Sequence, residues 1–293
     1  MRGRILIIGK GYIGNKLADN FNAKNISTLH ISRADIDYTD ETLFELFIRD
    51  NPDILGCVNC SGYTGRPNVD TAEKEKDKCY LLNVKSPLCI SSVCERYSIR
   101  YYHLSTGCIY TGYGKLYTEE DAPNFGRGNP DASWYSKTKH VAEEKLKTTS
   151  GYCIRLRMPF SGFGWYGGDY RLHDKDLVGK LLRYDTLVNA LNTKTYIPDL
   201  IGFIYDLVMM TVLRDEKGFE IYNFGCDDPL DTKSFTEVMR RCGYYNKDWA
   251  WADWSDLDIV ANRSNCILSM AKIKDMGFRV RSEEECLLEA LNA

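Results

Sequence analysis

The chain has little that would direct it to a membrane or a nucleic acid. Its first apolar run covers only residues 5–8, and no later stretch is long enough to cross a bilayer. The chain also lacks a large excess of charge of one sign, because 38 Lys and Arg residues nearly balance 41 Asp and Glu residues, for a formal net charge of −3. No secretory leader is recognisable. We therefore expect a cytoplasmic, globular protein without membrane or nucleic-acid partners.

Cysteine is plentiful, but the spacing that metal sites need is absent. The 11 cysteines are scattered through apolar segments. Cys57 and Cys60 have CxxC spacing, yet they lie in an apparent strand, and no second pair stands at zinc-ligand spacing. Disulfides are not expected in a reducing compartment. We predict no metal site, and most cysteines should be core residues.

Strands alternate with helices through the first half of the chain. Residues 4–21 predict a strand, a glycine turn and a helix, and residues 27–62 predict a strand, a loop, a helix and a strand. A helix over Lys78–Tyr97 is followed by a strand over residues 100–105. This alternation predicts an α/β fold, a Rossmann-type doubly wound parallel sheet.

The first turn carries a nucleotide-binding pattern. Gly9, Gly11 and Gly14 form GxGxxG between a predicted strand and a predicted helix. The glycines permit a tight turn and let a pyrophosphate approach the helix N-terminus closely. We therefore predict that this turn, including Tyr12 and Ile13, binds a dinucleotide cofactor. An ordinary strand-to-helix turn is the alternative for this segment taken alone.

The end of the second strand indicates which dinucleotide binds. NAD enzymes usually place an acidic residue there, whereas this chain has Ser32 and Arg33. An arginine suits a ribose 2′-phosphate, so we predict NADPH/NADP as the cofactor, with Asp37 and Tyr38 near the adenine. A solvated loop charge is the alternative for Arg33.

The segment "SWYSKTKHVAEEKLK" predicts an amphipathic helix with a reactive pair. Tyr135 and Lys139 are four residues apart and therefore project from one helix face. An ammonium in that position can lower the pKa of the phenol and reach the cofactor ribose. YxxxK is common by chance, but here it accompanies a nucleotide-binding pattern and Thr106 at a strand end. We therefore predict a catalytic role for the pair.

Several segments together resemble one enzyme family. "GKGYIG", "STGCIY", "YSKTK" and "LRMP" resemble the extended short-chain dehydrogenase/reductases, in particular the dTDP-4-dehydrorhamnose reductase branch. "SGYTGRPNVD" at 61–70, "EEDAPNF" at 119–125 and "RSN" at 263–265 are similar to the plant-type bifunctional UDP-4-keto-6-deoxyglucose 3,5-epimerase/4-keto-reductases. The resemblance spans residues 4–277. It departs in the glycine turn, where the relatives have GxxGxxG, and in a longer loop over 165–176.

The resemblance implies a reductase triad of Thr106, Tyr135 and Lys139. Tyr135 would give its proton to the C4 oxygen of a 4-keto sugar as NADPH delivers hydride to C4. Lys139 would lower the Tyr135 pKa and hold the nicotinamide ribose, and Thr106 would hydrogen-bond the C4 oxygen. Further residues are implied at the cofactor, namely Cys60, Ser61, Gly62 and Pro159, and at the sugar-nucleotide substrate, namely Arg66 and Asn68. An exposed turn is the alternative for Arg66 and Asn68.

The resemblance also implies an epimerase function. A C4 ketone acidifies the hydrogens at C3 and C5, so inverting those carbons needs acid/base groups on both faces of the sugar. Cys108, two residues after Thr106, and Lys180 match the residues with these roles in the plant-type enzymes. A small packing residue and a solvated helix lysine are the respective alternatives.

The predicted protein is a homodimeric, NADPH-dependent enzyme that converts UDP-4-keto-6-deoxy-D-glucose to UDP-L-rhamnose. One alternative is a reductase alone, acting on a dTDP- or GDP-linked 4-keto-6-deoxy sugar. The other is a non-catalytic NADP-binding regulatory subunit, which the intact Tyr135 and Lys139 disfavour.

We also predict how the chain divides into domains. Residues 1–158 should form the NADP-binding domain, extended by later strands near 186–190 and 219–224. Residues 159–293 should form a smaller, interleaved substrate-binding region. Within it, residues 160–175 are rich in glycine and aromatic residues and predict a mobile loop over the site.

Overall fold

The structure, a computed structural model, describes residues 3–66, 68–166, 169–215, 217–243 and 247–292. The strands in these ranges are β1 (Arg4–Ile8), β2 (Thr28–Ile31), β3 (Ile54–Asn59), β4 (Arg100–Thr106), β5 (Gly151–Leu156), β6 (Pro159–Phe160), β7 (Phe163–Tyr166), β8 (Asp169–Leu172), β9 (Thr186–Val188), β10 (Thr195–Tyr196), β11 (Phe219–Asn223) and β12 (Ala250–Ala252). The α-helices are α1 (Tyr12–Ala23), α2 (Glu41–Arg49), α3 (Asp70–Lys74), α4 (Lys76–Tyr80), α5 (Ser86–Arg96), α6 (Trp134–Leu146), α7 (Leu177–Arg183), α8 (Ile197–Thr211), α9 (Thr232–Arg241), α10 (Ala271–Asp275) and α11 (Glu283–Asn292). A π-helical turn (Leu81–Lys85) joins α4 to α5, and 3₁₀ turns occupy Gly107–Ile109 and Trp254–Asp256.

Six strands form a parallel central sheet in the order β11-β5-β4-β3-β1-β2. The chain runs from β1 to one edge at β2, returns to β3 and continues toward the other edge, so the direction of winding reverses between β1 and β3. The predicted doubly wound parallel sheet is confirmed. In such sheets, ligands bind beyond the carboxyl ends of the strands, next to the point of reversal.

The side chains of β1 show why helices cover both faces of the sheet. Successive strand residues point to opposite faces. Ile5 and Ile7 pack in one core with residues of α1 and α8, and Leu6 and Ile8 pack in another with residues of α2 and α5. All four are fully buried. Burying each such side chain stabilises the fold by about 1.5–3 kcal/mol.

A second, smaller core lies in the C-terminal half, where residues of α7, α9 and α11 pack around Phe160. β11 joins the central sheet beside β5, whereas β9 pairs with β12. The prediction that a strand near 186–190 extends the central sheet is therefore wrong, because β9 forms a separate two-stranded sheet with β12. The division of the chain at residue 158 stays a prediction.

Residues 160–175 contain regular structure. β6 pairs with β10, and β7 pairs with β8 in an antiparallel ribbon. Phe160 and Ser161 are buried. The predicted loop is therefore wrong for the residues of β6, β7 and β8, because aromatic residues also favour strands. That the segment is mobile stays a prediction. Gly167 and Gly168, in the middle of the predicted loop, lie outside the described residues.

Candidate active site

The turn after β1 forms an open cradle at the N-terminus of α1. Gly9 has a φ of +108°, which favours glycine, and a Cβ on Gly14 would lie 1.9 Å from the Gly9 carbonyl oxygen. A Cβ on Gly11, by contrast, would meet nothing within 4 Å. The first N–H groups of a helix lack acceptors within the helix and attract anions. The turn therefore fits the pyrophosphate of a dinucleotide.

Tyr12 points away from this cradle and into the protein. Its hydroxyl donates to Asp176 Oδ2 at 2.6 Å and shares a 2.7 Å hydrogen bond with Ser161 Oγ. Its ring stacks on His173, with 4.5 Å between ring centroids. Ile13 is partly buried against the larger core. The predicted cofactor contacts of Tyr12 and Ile13 would therefore come from their backbone N–H groups.

The loop after β2 carries the predicted phosphate-binding residues. Ser32 donates to Asp35 Oδ2 from its N–H at 2.7 Å and from its hydroxyl at 2.8 Å. Lys10, in the glycine turn, lies 3.0 Å from the same oxygen. The bonds from Lys10 and Ser32 lower the pKa of Asp35 to about 2. Arg33 and Asp37 are both exposed beside them. Sequence reasoning missed Lys10, whose signal was a basic residue between two glycines.

The loop after β3 lies directly behind the glycine turn, because a Cβ on Gly9 would lie 3.0 Å from the Ser61 nitrogen. The Ser61 N–H and hydroxyl both donate to Asn59 Oδ1, at 3.0 Å and 2.6 Å. Burial raises the pKa of Cys60 to about 12, so it is a neutral thiol. Gly62 follows these two residues. The structure thus places the predicted Cys60–Gly62 segment beside the predicted pyrophosphate site.

Asn83 holds this loop to the helix of the predicted triad. It is buried in the π-helical turn, where its Oδ1 accepts from the Tyr63 N–H at 2.7 Å. Its Nδ2 donates to the Tyr63 carbonyl at 2.8 Å and to Thr138 Oγ1 of α6 at 3.2 Å. π-Helical turns are rare and often occur at functional sites. Sequence reasoning missed Asn83, because apolar spacing predicts one uninterrupted helix over Lys78–Tyr97.

Thr106, Tyr135 and Lys139 meet at the carboxyl end of β4. The half-buried Tyr135 is hydrogen-bonded to Thr106, and burial raises the pKa of its phenol while that bond opposes the rise. Lys139 is buried, and its Nζ donates to the Leu104 carbonyl at 3.1 Å. Burial lowers the pKa of Lys139. The structure thus brings the three predicted residues together.

Cys108 lies beside this triad, and Lys180 lies near Cys108. Cys108 is partly exposed in the 3₁₀ turn after β4, and its N–H donates to Thr106 Oγ1 at 3.1 Å. Its thiol interacts electrostatically with both Tyr135 and Lys180. Burial lowers the pKa of Lys180, and the neighbouring Lys175 cation adds to that effect. A thiol and an amine therefore lie within electrostatic reach of one another at one site.

The predicted substrate contacts precede α3. Arg66 is exposed, and Asn68 Oδ1 accepts from the N–H two residues further on. Lys175 Nζ donates to Thr64 Oγ1 at 2.7 Å. Burial lowers the pKa of Lys175, and Arg66 is close enough to lower it further. Arg66 and Lys175 thus bring positive charge beside Lys180, where a diphosphate would be favoured. Lys175 had no recognisable signal in the sequence.

Arg157 fixes the turn that carries Cys108. The buried guanidinium donates to the Gly107 carbonyl at 3.1 Å, to Asn192 Oδ1 at 2.6 Å and to Ser264 Oγ at 2.6 Å. It therefore joins the turn after β4 to the "RSN" segment. Pro159, the predicted nicotinamide neighbour, follows two residues later and begins β6. Sequence reasoning missed Arg157, although it lies within the "LRMP" segment.

Metal-binding clusters and membrane-spanning helices are both absent from the described ranges. No group of three or more His, Cys, Asp and Glu side chains there could hold a metal ion. No helix in the described part of the chain is long and apolar enough to cross a membrane. The 11 cysteines are free thiols.

Residues 3–293 match the family model of the RmlD substrate binding domain. The chain belongs to this family. It is 31% identical over 243 residues to an Arabidopsis thaliana trifunctional UDP-glucose 4,6-dehydratase/UDP-4-keto-6-deoxy-D-glucose 3,5-epimerase/UDP-4-keto-L-rhamnose-reductase, a match that covers 79% of the chain and 33% of that protein. The chain therefore spans about one third of the length of this relative. It is 30% identical over 243 residues to an Arabidopsis bifunctional dTDP-4-dehydrorhamnose 3,5-epimerase/dTDP-4-dehydrorhamnose reductase, covering 79% of the chain and 74% of that protein.

Solved structures share the fold of this RmlD-family chain. The UDP-rhamnose synthase of Acanthamoeba polyphaga mimivirus superposes with a TM-score of 0.86 at 21% identity, covering 99% of each chain. The Bacillus anthracis dTDP-4-dehydrorhamnose reductase, solved in complex with NADP, superposes with a TM-score of 0.81 at 19% identity, covering 100% of this chain and 99% of that one. The predicted resemblance and the predicted fold are confirmed. The names of these relatives agree with the reductase part of the predicted sugar-nucleotide epimerase/reductase.

Proposed function

We propose that this chain is an NADPH-dependent 3,5-epimerase and 4-keto-reductase that converts UDP-4-keto-6-deoxy-D-glucose to UDP-L-rhamnose. The observation that carries the proposal is the placement of the Cys108 thiol and the Lys180 amine within electrostatic reach of one another beside Tyr135. Reduction of a ketone needs one proton donor, which Tyr135 supplies. Two further acid/base groups at the same site are what inversion of neighbouring carbons needs.

The reductase half uses the groups at the end of β4. Bound NADPH would supply the hydride that reduces C4. The Tyr135 hydroxyl donates its proton to the C4 oxygen, and the Thr106 hydroxyl hydrogen-bonds the same oxygen. The Lys139 ammonium, one helical turn from Tyr135, favours the phenolate that remains. The open cradle at Gly11 and the exposed Arg33 support this choice of cofactor, as does the NADP complex of the Bacillus anthracis neighbour.

The epimerase half precedes reduction. While C4 is a ketone, a base removes the C3 or C5 proton to form an enolate, and an acid returns a proton to the opposite face. Cys108 and Lys180 perform these two steps. The lowered pKa of Lys180 supports its role, because more of the amine is then neutral near physiological pH and free to accept a proton.

The substrate is held through its diphosphate. Arg66 and Lys175 supply cations beside Lys180, and Asn68 lies two residues from Arg66 on the same loop. The names of the mimivirus and trifunctional Arabidopsis relatives support a uridine nucleotide. The predicted homodimer and cytoplasmic location stay predictions.

The test is to supply NADPH with UDP-, dTDP- or GDP-linked 4-keto-6-deoxy sugars and identify the products by NMR. We expect UDP-L-rhamnose from the UDP-linked sugar, with no reduced product when NADPH is omitted. A product reduced at C4 without inversion at C3 and C5 would identify a reductase alone. Absence of NADPH oxidation with every sugar would identify a non-catalytic subunit.

A further inference from the structure

A chain of buried polar groups runs from Lys139 into the central sheet. Nε2 of His103, on β4, lies 3.3 Å from Lys139 Nζ, and Nδ1 of the same ring lies 3.3 Å from the Tyr101 hydroxyl. That hydroxyl accepts from Asn59 Nδ2 at 2.9 Å, and Asn59 Oδ1 accepts from Ser61. His103, Tyr101 and Asn59 are each at most 1% exposed. Apolar side chains usually fill such a core, because unpaired polar groups are costly there.

The charge of Lys139 determines the direction of these hydrogen bonds. An ammonium only donates, so His103 Nε2 accepts. Burial, together with the nearby Lys139 cation, lowers the pKa of His103 well below its usual value and keeps the ring neutral. A neutral ring that accepts at Nε2 carries its proton on Nδ1, which therefore donates to the Tyr101 hydroxyl. Each ring nitrogen thus has one defined partner.

We propose that His103 is a positioning residue of the reductase: its imidazole, braced by Tyr101 and Asn59, accepts a hydrogen bond from Lys139 and keeps that ammonium charged and in place. Lys139 needs hydrogen-bond acceptors to stay protonated, because burial alone favours its neutral amine. The Leu104 carbonyl provides one acceptor for the ammonium and His103 provides the other. The inference rests on the proposed roles of Tyr135 and Lys139.

Titratable groups from each packed element surround this contact. Those facing Lys139 are His103 on β4, Cys108 after β4, Cys153 on β5, Cys79 on α4 and Glu143 on its own helix. Those facing Tyr101 are Cys57 on β3, Cys94 on α5 and Cys153 on β5. Glu143 is paired with Arg155, and burial raises the pKa of Cys79 and Cys153 so that both stay neutral. None of these groups replaces His103 as a hydrogen-bond acceptor for the ammonium.

The test replaces His103 with two amides that mimic opposite nitrogens of the ring. His103→Gln reaches the position of Nε2 and can keep an acceptor for Lys139, whereas His103→Asn reaches only the position of Nδ1. The measurement is the pH dependence of kcat for reduction of a 4-keto-6-deoxy sugar nucleotide at saturating NADPH. We expect the alkaline limb to move down by about one pH unit in His103→Asn, because the ammonium loses its proton more easily. In His103→Gln it should stay near the wild-type position.

A second variant and a control keep the test decisive. Tyr101→Phe removes the hydroxyl that is hydrogen-bonded to the His103 ring, so we expect a smaller shift of the alkaline limb in the same direction. This variant tests the proposal even if His103→Asn fails to fold. An unshifted limb in every folded variant, or an equal fall in kcat for both amides without a shift, overturns the proposal and leaves His103 as a packing residue. Lys139→Ala with wild-type kcat would instead overturn the proposed role of Lys139 itself.

Discussion

The Tyr12 hydroxyl donates a 2.6 Å hydrogen bond to Asp176 Oδ2, 164 residues further along the chain. Tyr12 begins α1 at the glycine turn. Asp176 caps α7, the helix of Lys180, by accepting from the Val178 N–H at 2.8 Å, and it is completely buried. One buried hydrogen bond therefore joins the proposed cofactor site to the helix that carries the proposed epimerase amine.

Tyr12→Phe should loosen this connection. The ring can still stack on His173, but the Asp176 carboxylate loses a donor, which costs about 1–3 kcal/mol at a buried site. We expect a lower free energy of unfolding in urea and slower proton exchange at C3 and C5. Tyr97→Phe, which removes an exposed hydroxyl bonded to Glu45, is the matched control and should change neither. Wild-type stability and exchange in Tyr12→Phe would show that the bond is dispensable.

Arg33→Ala should weaken NADPH binding about tenfold or more, because a charge-assisted bond to the 2′-phosphate is lost. The dissociation constant for NADH should change little. Lys10→Ala should also weaken NADPH binding, because Lys10 forms an ion pair with Asp35 on the loop that carries Arg33. Titration by fluorescence measures both constants, with Arg49→Ala, an exposed arginine of α2, as the control. An unchanged cofactor preference in Arg33→Ala would contradict the assignment.

Tyr135→Phe should retain the fold and NADPH affinity but lose reduction by about two to four orders of magnitude, the usual contribution of a positioned acid. Stopped-flow measurement of NADPH oxidation with a pre-epimerised 4-keto sugar checks this. Tyr184→Phe, at an exposed tyrosine, provides the control. Near-normal turnover without the Tyr135 hydroxyl would rule out the proposed proton donor.

Glu143→Gln should destabilise the protein strongly. Glu143 Oε2 accepts from Arg155 Nε at 2.9 Å, and both side chains are at most 1% exposed. Removing the carboxylate leaves a buried guanidinium without its counterion, at a cost of about 3–5 kcal/mol. Glu144→Gln, next along the helix, breaks only an exposed pair with Arg127 and should have little effect. Equal unfolding midpoints in urea would contradict this reasoning.

The predictable features are those that depend on local spacing. The apolar strand, the three glycines and the helix after them lie within 20 residues, so the sequence alone indicates the nucleotide turn. Tyr135 and Lys139 are four residues apart on a helix, so their shared face is also predictable from local spacing. Thr106 and Cys108 likewise lie at the end of one strand. A resemblance in the surrounding segments was needed to assign Lys180.

The features that could not be predicted depend on distant partners. Arg157 lies near the end of a predicted strand, and nothing nearby in the sequence indicates its role. Its hydrogen-bond partners Gly107, Asn192 and Ser264 come from three distant segments. His103 likewise reads as part of a buried strand until Lys139 is placed beside it. The pairing of β9 with β12 joins segments about 60 residues apart that have no shared pattern.

The epimerase function is tested most directly by deuterium uptake from D₂O into the 4-keto substrate without NADPH, followed by NMR at C3 and C5. The wild-type protein should incorporate deuterium at both carbons. Lys180→Ala should impair uptake, with unequal effects at the two carbons, and Cys89→Ala, at another partly exposed cysteine, should not. Cys108→Ala should incorporate little while still reducing pre-epimerised substrate, because Thr106, Tyr135 and Lys139 are unchanged. Undiminished uptake in Cys108→Ala would contradict the account and leave the chain a reductase alone.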